Sequence, residues 1–343
     1  MKYSFRNDYS EGCSPEIMEA LIRTNNLQLT GYGEDEYATK AASLIKKAIN
    51  REDVDIHFVP GGTPCNVLAI ALALKPYEAV ICCDSGHINV HEAGSIEATG
   101  HKILVADSYD GKVSPEGVRK ICTQVTGDHM VKPTMVFISN ATEFATVYTK
   151  EELIALRKVC DEFSLYLYMD GARLANALVS EGNDVTLEDI CELCDLFYIG
   201  GTKNGSLIGE AMIIVNDSLK EGFRYHLKQK GYMLAKGRIM SISFATLFKD
   251  DLYLKNAKQA NKTAQALKYA FEAYGIPQYS DSKTNQLFPI LSNQLLEKIQ
   301  EDYDVELWGP YDQDHQIVRF TTSWATKEET VLQFVSDLKK YMK

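Results

Sequence analysis

The sequence predicts an α/β chain, with a mostly parallel sheet between layers of helices and a smaller α+β domain at the C-terminal end. Three observations carry that prediction. Short apolar runs alternate with amphipathic segments as far as about residue 215, the pattern of parallel strands joined by helical crossovers. Beyond that point the rhythm changes to a long helical stretch followed by a few short strands. The chain's 343 residues, 45% hydrophobic and 24% charged, suffice to bury one large core and a second, smaller one.

Taken in order, the candidate strands are Ile56–Val59, Ala79–Cys83, Ile103–Ala106, Met135–Ser139, Leu165–Met169, Leu196–Ile199 and Ala211–Val215. Each is apolar, and several are rich in β-branched or aromatic residues. Helix starts are legible between them. Ser14-Pro15-Glu16 and Ser114-Pro115-Glu116 pair a capping hydroxyl with a proline in the first turn, and Thr149-Lys150-Glu151-Glu152 is a capping box. Leu219 to Tyr274 reads as a long helical region. Strand-like Gln286–Leu291, Val305–Leu307 and Ile317–Thr321 follow, then a last helix capped by Thr326, with Glu329 at its third position and Phe334, Leu338 and Met342 on its buried face. The pattern places a large domain, including an N-terminal active-site segment, at 1–237 and a small domain at 238–343.

Charge and composition exclude several roles. A formal net charge of −11, with no basic run, repels phosphate backbones and anionic lipid, so neither nucleic acid nor a membrane is an expected partner. The opening residues lack an apolar leader, and the apolar stretch Val67–Leu74 is closed by Lys75-Pro76, which points to a cytoplasmic protein without a membrane span. Eight cysteines scattered through apolar segments suit buried thiols in a reducing compartment. Cys191 and Cys194 form a CxxC with no second pair. His87 and His91 stand four apart with no third ligand, so no metal is expected.

In parallel α/β sheets ligands collect at the carboxyl ends of strands, and here those ends carry chemistry. After Ile56–Val59 comes Pro60-Gly61-Gly62-Thr63-Pro64, where glycines allow close backbone approach, Thr63 can cap and the helix N-terminus attracts an anion such as phosphate. Alone, the same turn is also an ordinary strand-to-helix connection. After Leu165–Met169 comes Asp170-Gly171-Ala172-Arg173, a carboxylate beside a guanidinium, which is either a ligand-binding pair or a structural ion pair. After Leu196–Ile199 comes Gly200-Gly201-Thr202-Lys203-Asn204-Gly205, a lysine given clearance on both sides. Together the three read as a phosphate cradle, a partner for a pyridinium nitrogen and a Schiff-base lysine, in the order used by one class of pyridoxal 5'-phosphate (PLP) enzymes. A carboxylate near the ring nitrogen keeps it protonated, and Asp170 is the candidate.

The chain resembles the threonine aldolases of the β-eliminating lyase group, within the aspartate aminotransferase-like (fold type I) PLP-dependent enzymes. The matching stretches run from Phe5-Arg6-Asn7-Asp8, through Tyr32-Gly33-Glu34-Asp35, Gly62-Thr63, Gly86-His87-Ile88 with Glu92-Ala93-Gly94, Asp170-Gly171-Ala172-Arg173-Leu174 and the Lys203 loop, to Val318-Arg319-Phe320-Thr321-Thr322-Ser323-Trp324. The resemblance implies that Lys203 carries PLP and that Gly62, Thr63, Thr202 and Arg173 help to bind it. It further implies that His87 stacks on the ring, that Asp170 holds its nitrogen, and that Asn7, Arg173 and Arg319 bind the substrate carboxylate. A homo-oligomer, dimer or tetramer, is implied too, with Tyr32 and one of Lys228, Lys230 or Lys236 reaching a partner's site.

Three positions depart from the family pattern: Asn7 replaces a serine, Tyr168 a histidine, and Glu143 falls where the family histidine near the substrate hydroxyl belongs. Glu143 is therefore a candidate general base, beside a nearby imidazole or an ordered water. The implied reaction is aldol cleavage of a β-hydroxy-α-amino acid, with threonine or allo-threonine giving glycine and acetaldehyde. The alternatives are β-elimination to pyruvate and ammonia, transamination, and a PLP-binding protein without turnover.

Overall fold

The computed structural model describes residues 2–108 and 110–342. Its strands are β1 (Tyr3–Ser4), β2 (Asp55–Val59), β3 (Glu78–Cys83), β4 (Lys102–Ala106), β5 (Lys132–Ser139), β6 (Tyr166–Asp170), β7 (Leu196–Gly200), β8 (Glu210–Ile214), β9 (Gln286–Leu287), β10 (Ile290–Ser292), β11 (Tyr303–Asp304), β12 (Glu306–Pro310) and β13 (His315–Thr321). The helices are α1 (Pro15–Thr24), α2 (Glu36–Ala48), α3 (Gly62–Ala73), α4 (His87–Val90), α5 (Pro115–Thr123), α6 (Lys150–Phe163), α7 (Leu174–Leu178), α8 (Leu187–Leu193), α9 (Phe223–Gln229), α10 (Arg238–Leu247), α11 (Leu252–Ala273), α12 (Asn293–Asp302) and α13 (Glu328–Tyr341).

All seven expected strands form one sheet in the order β2-β8-β7-β6-β5-β3-β4. Strands β4, β3, β5, β6 and β7 run parallel, whereas β8 is antiparallel to both of its neighbours. The link from Gly200 to Glu210 is too short for a helical crossover, so the chain can only reverse. Alternation along the strands divides the core in two. Ile138, Leu167, Met169, Phe197 and Ile199 face one helical layer, while Phe137, Tyr168, Leu196 and Tyr198 face the layer built on α3. Helix α3 is buried from Cys65 to Ile70, which explains why its sequence is apolar all round.

Helix starts at α5 and α6 form as anticipated: Ser114 Oγ accepts from Gly117 N–H, and both halves of the Thr149–Glu152 box are present. Other local expectations are corrected. The long helical region is three helices, interrupted around Gly231 (φ +80°) and again at Asp250 and Asp251, which also have positive φ. Thr326 does not cap α13; its hydroxyl instead accepts from Ser323 N–H at 2.9 Å. The buried face of that helix is Val331, Phe334 and Leu338, with Met342 exposed. Thr63 does not cap α3 either, because Gly61 is the N-cap and Thr63 lies within the first turn.

Strands β9, β10, β12 and β13 make a small antiparallel sheet. Its core gathers Phe271, Phe320, Phe334 and Phe5. The start of the chain is thus stitched to its end: β1 pairs in parallel with β11, and Thr321 N–H donates to Phe5 O at 2.7 Å. Helix α10 contributes Phe244, Ala245 and Leu247 to the large core. Helix α11 serves both, through Tyr253 and Ala257 on one side and Ala264, Leu267 and Phe271 on the other. No helix among the described residues is long and apolar enough to cross a membrane.

Candidate active site

Parallel strands deliver their carboxyl ends to one edge of the sheet, and there the register of β5 on β6 sets Ser139 beside Asp170. Lys203 follows β7 in a short 3-10 turn, Thr202–Asn204. Lys203, His87, Asp170, Glu143, Arg173 and Arg319 line one cavity of about 250 Å³, into which the small sheet projects Arg319 from β13. Six of the residues singled out in the sequence therefore converge, from segments as far apart as residues 87 and 319.

Burial, with the positive charge of Arg173 nearby, lowers the Lys203 pKa to about 8, although Asp8, Asp170 and Glu210 act in the opposite sense. A larger share of the amine is thus neutral near neutral pH than for an ordinary lysine, as nucleophilic attack on a carbonyl requires. The glycines of this loop have a different cause from the clearance expected. A Cβ on Gly200 would lie 2.4 Å from Ala172 O, and one on Gly201 would lie 2.7 Å from Gly209 O, so both are demanded by backbone packing beneath the lysine.

Asp170 is buried and held by three donors: Asn66 Nδ2 at 3.0 Å, Ala172 N–H at 3.0 Å, and the Tyr198 hydroxyl. It does not pair with Arg173. That arginine instead forks onto Asp8, Nε to Oδ2 at 2.7 Å and Nη2 to Oδ1 at 3.0 Å, and Asn285 also donates to Asp8 at 2.9 Å. That edge of Arg173 is therefore held by Asp8, while the residue still lines the cavity. Arg319 differs: its Nη2 donates to Glu306, its guanidinium lies 5.0 Å from the Trp308 ring centroid, and its buried Nε has no protein partner. Burial, with the charge of Arg173 nearby, pushes the Arg319 pKa down, although Glu306 and Asp8 act in the opposite sense.

Glu143 Oε1 accepts from Ser139 Oγ at 2.8 Å and from His87 N–H at 2.9 Å, while its buried Oε2 has no partner. Burial raises its pKa, and the Asp170 charge adds to the effect. The His87 ring is held through Nδ1 by Glu92 Oε1 at 2.7 Å.

Four expected residues are not among those lining the cavity. Asn7 turns to its own loop, where Oδ1 accepts from Tyr9 N–H at 3.0 Å and Ser10 Oγ at 2.9 Å; its neighbour Tyr9 lines the cavity. Thr202 Oγ1 accepts from Gly209 N–H at 3.0 Å. Gly62 and Thr63 open α3, where a Cβ on Gly62 would meet the Tyr198 hydroxyl at 2.8 Å, so glycine there makes room for the group that holds Asp170.

Asp8, Asn66, Glu92, Tyr198 and Glu210 also shape the site, although no role for them follows from the sequence, where Asp8 and Glu92 stand only within stretches that carry the resemblance. Glu210 accepts from Gly201 N–H at 2.6 Å and Thr202 N–H at 3.3 Å, and burial raises its pKa to about 7 against the pull of those donors and Lys203. A carboxylate opening an otherwise apolar strand was its one signal. Asn66, inside an apolar helix, had a comparable one.

The family model for β-eliminating lyases matches residues 4–294. A low specificity L-threonine aldolase of Pseudomonas sp. is 32% identical over 342 residues, which cover 98% of this chain and 97% of the relative. The chain belongs to the β-eliminating lyase family, among its threonine aldolases. A second low specificity L-threonine aldolase, from Saccharomyces cerevisiae, is 26% identical over 82% of this chain and 72% of its own length. A solved threonine aldolase structure from Leishmania major superposes with a TM-score of 0.98 at 46% identity, covering 99% of this chain and 100% of that one. An aspartate aminotransferase of Thermus thermophilus superposes at 0.72 with 14% identity over 99% of this chain and 91% of that one; at that distance only the fold is shared. The fold is thus the aspartate aminotransferase-like, fold type I architecture, and the member is a lyase.

Proposed function

We propose that this lyase uses PLP to cleave threonine or allo-threonine to glycine and acetaldehyde. The observation that carries the proposal is the convergence of Lys203, Asp170 and His87 on one cavity in a chain resembling threonine aldolases over its whole length. The donor set fits the cofactor. Lys203 has the lowered pKa that attachment to an aldehyde needs, Asp170 is a buried carboxylate for a ring nitrogen, and His87 offers a ring face. Gly62 and Thr63 start a helix whose first N–H groups have no intrahelical acceptor, which suits a phosphate. Resting on Lys203 and passed from it to the substrate amine for turnover, PLP would supply the electron sink for the carbanion left when a bond to Cα breaks.

The remaining roles fall to the chain's own side chains. Arg319 offers its positive charge, and the Nε that has no protein partner, to the substrate carboxylate. Fixing that carboxylate decides which Cα bond stands where it can break. Glu143 takes the β-hydroxyl proton on Oε2; Cα–Cβ then cleaves, acetaldehyde leaves with the former hydroxyl oxygen as its carbonyl, and a proton added at Cα completes glycine. Arg173 keeps the N-terminal segment in place through Asp8.

We also infer a cytoplasmic homo-oligomer, a dimer or tetramer. Buried or half-buried free thiols support a reducing compartment, and Tyr32, half-exposed with the Lys228 ammonium 4.7 Å from its ring centroid, supports a contribution to a neighbouring subunit. The test of function is to incubate PLP-saturated protein with L-threonine and with L-allo-threonine and quantify glycine, acetaldehyde and pyruvate. Equal amounts of glycine and acetaldehyde are expected. Pyruvate and ammonia as the main products would replace cleavage with elimination.

A further inference from the structure

Behind the cavity wall, a buried chain of hydrogen bonds links two groups that the sequence treats as separate. His87 Nδ1 meets Glu92 Oε1 at 2.7 Å, and the same oxygen accepts from Asn66 Nδ2 at 2.6 Å. Asn66 Nδ2 also donates to Asp170 Oδ2 at 3.0 Å. The other end of the amide, Oδ1, accepts from the Tyr168 hydroxyl at 2.7 Å. Ser95 Oγ fixes the remaining Glu92 oxygen at 2.7 Å. Asn66 and the Glu92 side chain are fully buried, and Tyr168 is as well.

We propose that Asn66, oriented by Tyr168, is a positioning residue that locks the His87 ring and the Asp170 carboxylate into one rigid frame for the cofactor. The inference rests on the PLP reading above. Its physical basis is the donor inventory of an amide: two N–H donors at one end, an acceptor at the other. Turned over, Asn66 would aim its carbonyl oxygen at two carboxylates. The phenol fixes the sense of the amide from the opposite side, because burial holds the Tyr168 pKa well above its ordinary value and keeps the hydroxyl a donor. Glu92, anchored by the same amide, accepts at His87 Nδ1 and so places the imidazole proton there, leaving Nε2 as the free ring nitrogen.

Topology produces this arrangement directly. Tyr168 and Asp170 are two apart on β6 and point to the same face of the sheet, the face covered by α3, where Asn66 lies one turn after Gly62.

The test uses full-length protein, with Tyr168→Phe, Asn66→Asp and Tyr168→His variants. Apo-protein is titrated with PLP, the Kd and the pH titration of the bound cofactor's visible absorbance are read, and apo-protein Tm serves as the folding control. Tyr168→Phe should weaken PLP binding about tenfold, the equivalent of one buried hydrogen bond, measured on protein that remains folded despite the modest fall in apo Tm expected from leaving Asn66 Oδ1 unpartnered. Asn66→Asp should weaken it on the order of a hundredfold by setting a third carboxylate against two others. Tyr168→His, which restores a donor, should recover most of the loss. In Tyr168→Phe, kcat for threonine should fall while KM stays near its original value. Wild-type Kd and an unshifted absorbance–pH curve in both Tyr168→Phe and Asn66→Asp would overturn the proposal, as would a loss in Tyr168→Phe explained by unfolding of the apo-protein at the assay temperature. Failure of the unsubstituted protein to take up PLP would instead remove the underlying functional reading.

Discussion

The inner wall of the cavity and its outer rim are built on opposite plans. Around Asp170 the polar groups of Asn66, Tyr168 and Glu92 satisfy one another inside the protein. At the rim, Glu143 Oε2 and Arg319 Nε are buried without a partner. Unmet buried polar atoms are costly, about 1–3 kcal/mol each, and both of these belong to residues that line the cavity, where a ligand's groups can meet them once the side chains adjust. The contrast teaches a division of labour: the inner wall is set in advance for a resident planar group, and the rim keeps valences open for a substrate that comes and goes. The two arginines show it most clearly. Arg173 forks onto Asp8 through Nε and Nη2, whereas Arg319 bonds Glu306 through Nη2 and keeps a buried Nε without a protein partner.

The largest expected effect lies on the rim. Glu143→Gln keeps the shape but cannot take a proton, and kcat should fall by about 10²- to 10⁴-fold with little change in KM; an unchanged kcat would move the proton to another group, His91 first, since it lines the same cavity. Stability should separate the two arginine pairs next. Asp8→Ala strands the buried Arg173 and should cost about 3–5 kcal/mol in denaturant unfolding, whereas Glu306→Ala, at a partly exposed carboxylate, should cost about 1 kcal/mol or less. Equal losses would erase the distinction.

Asp8 also carries a pH signature. Burial works to raise its pKa, but Arg173 and Lys203 outweigh it and the pKa is lowered. Its contribution to stability is therefore complete above the ordinary carboxylate range and is lost as pH falls below it; Asp8→Asn should remove that acid-side loss from a stability–pH curve. A smaller effect follows at the substrate carboxylate, where Arg319→Lys replaces a fork by a point charge and should raise the KM for threonine roughly tenfold with kcat reduced less. The mildest concerns Lys203. With its pKa at about 8, the rate of PLP uptake by apo-protein should rise with pH to a midpoint near that value, and a midpoint near 10.5 would show that burial does not tune the amine.

Much of this architecture was legible in the sequence because the relevant signals are local. Short apolar runs between amphipathic segments mark the seven members of the large sheet, and caps at Ser114 and Thr149 mark helix starts. The direction of β8 was not legible, since hydropathy does not encode direction. The candidate site residues at strand ends, Asp170 and Lys203, stand out for the same reason. Their partners could not: Arg173 and Asp8 are 165 positions apart, and Asn66 and Asp170 are 104 apart, so only the fold brings them together. The glycines before Lys203 suggest clearance for a ligand in the sequence, whereas in the fold Gly200 and Gly201 answer to backbone oxygens of neighbouring segments.

The account depends most directly on the attachment of the cofactor at Lys203. Borohydride reduction of PLP-saturated protein, followed by peptide mass mapping, reads that link. The prediction is a stable pyridoxyl tag on the peptide that contains Lys203 and on no other; a tag on a different lysine, or none at all on saturated protein, would contradict it.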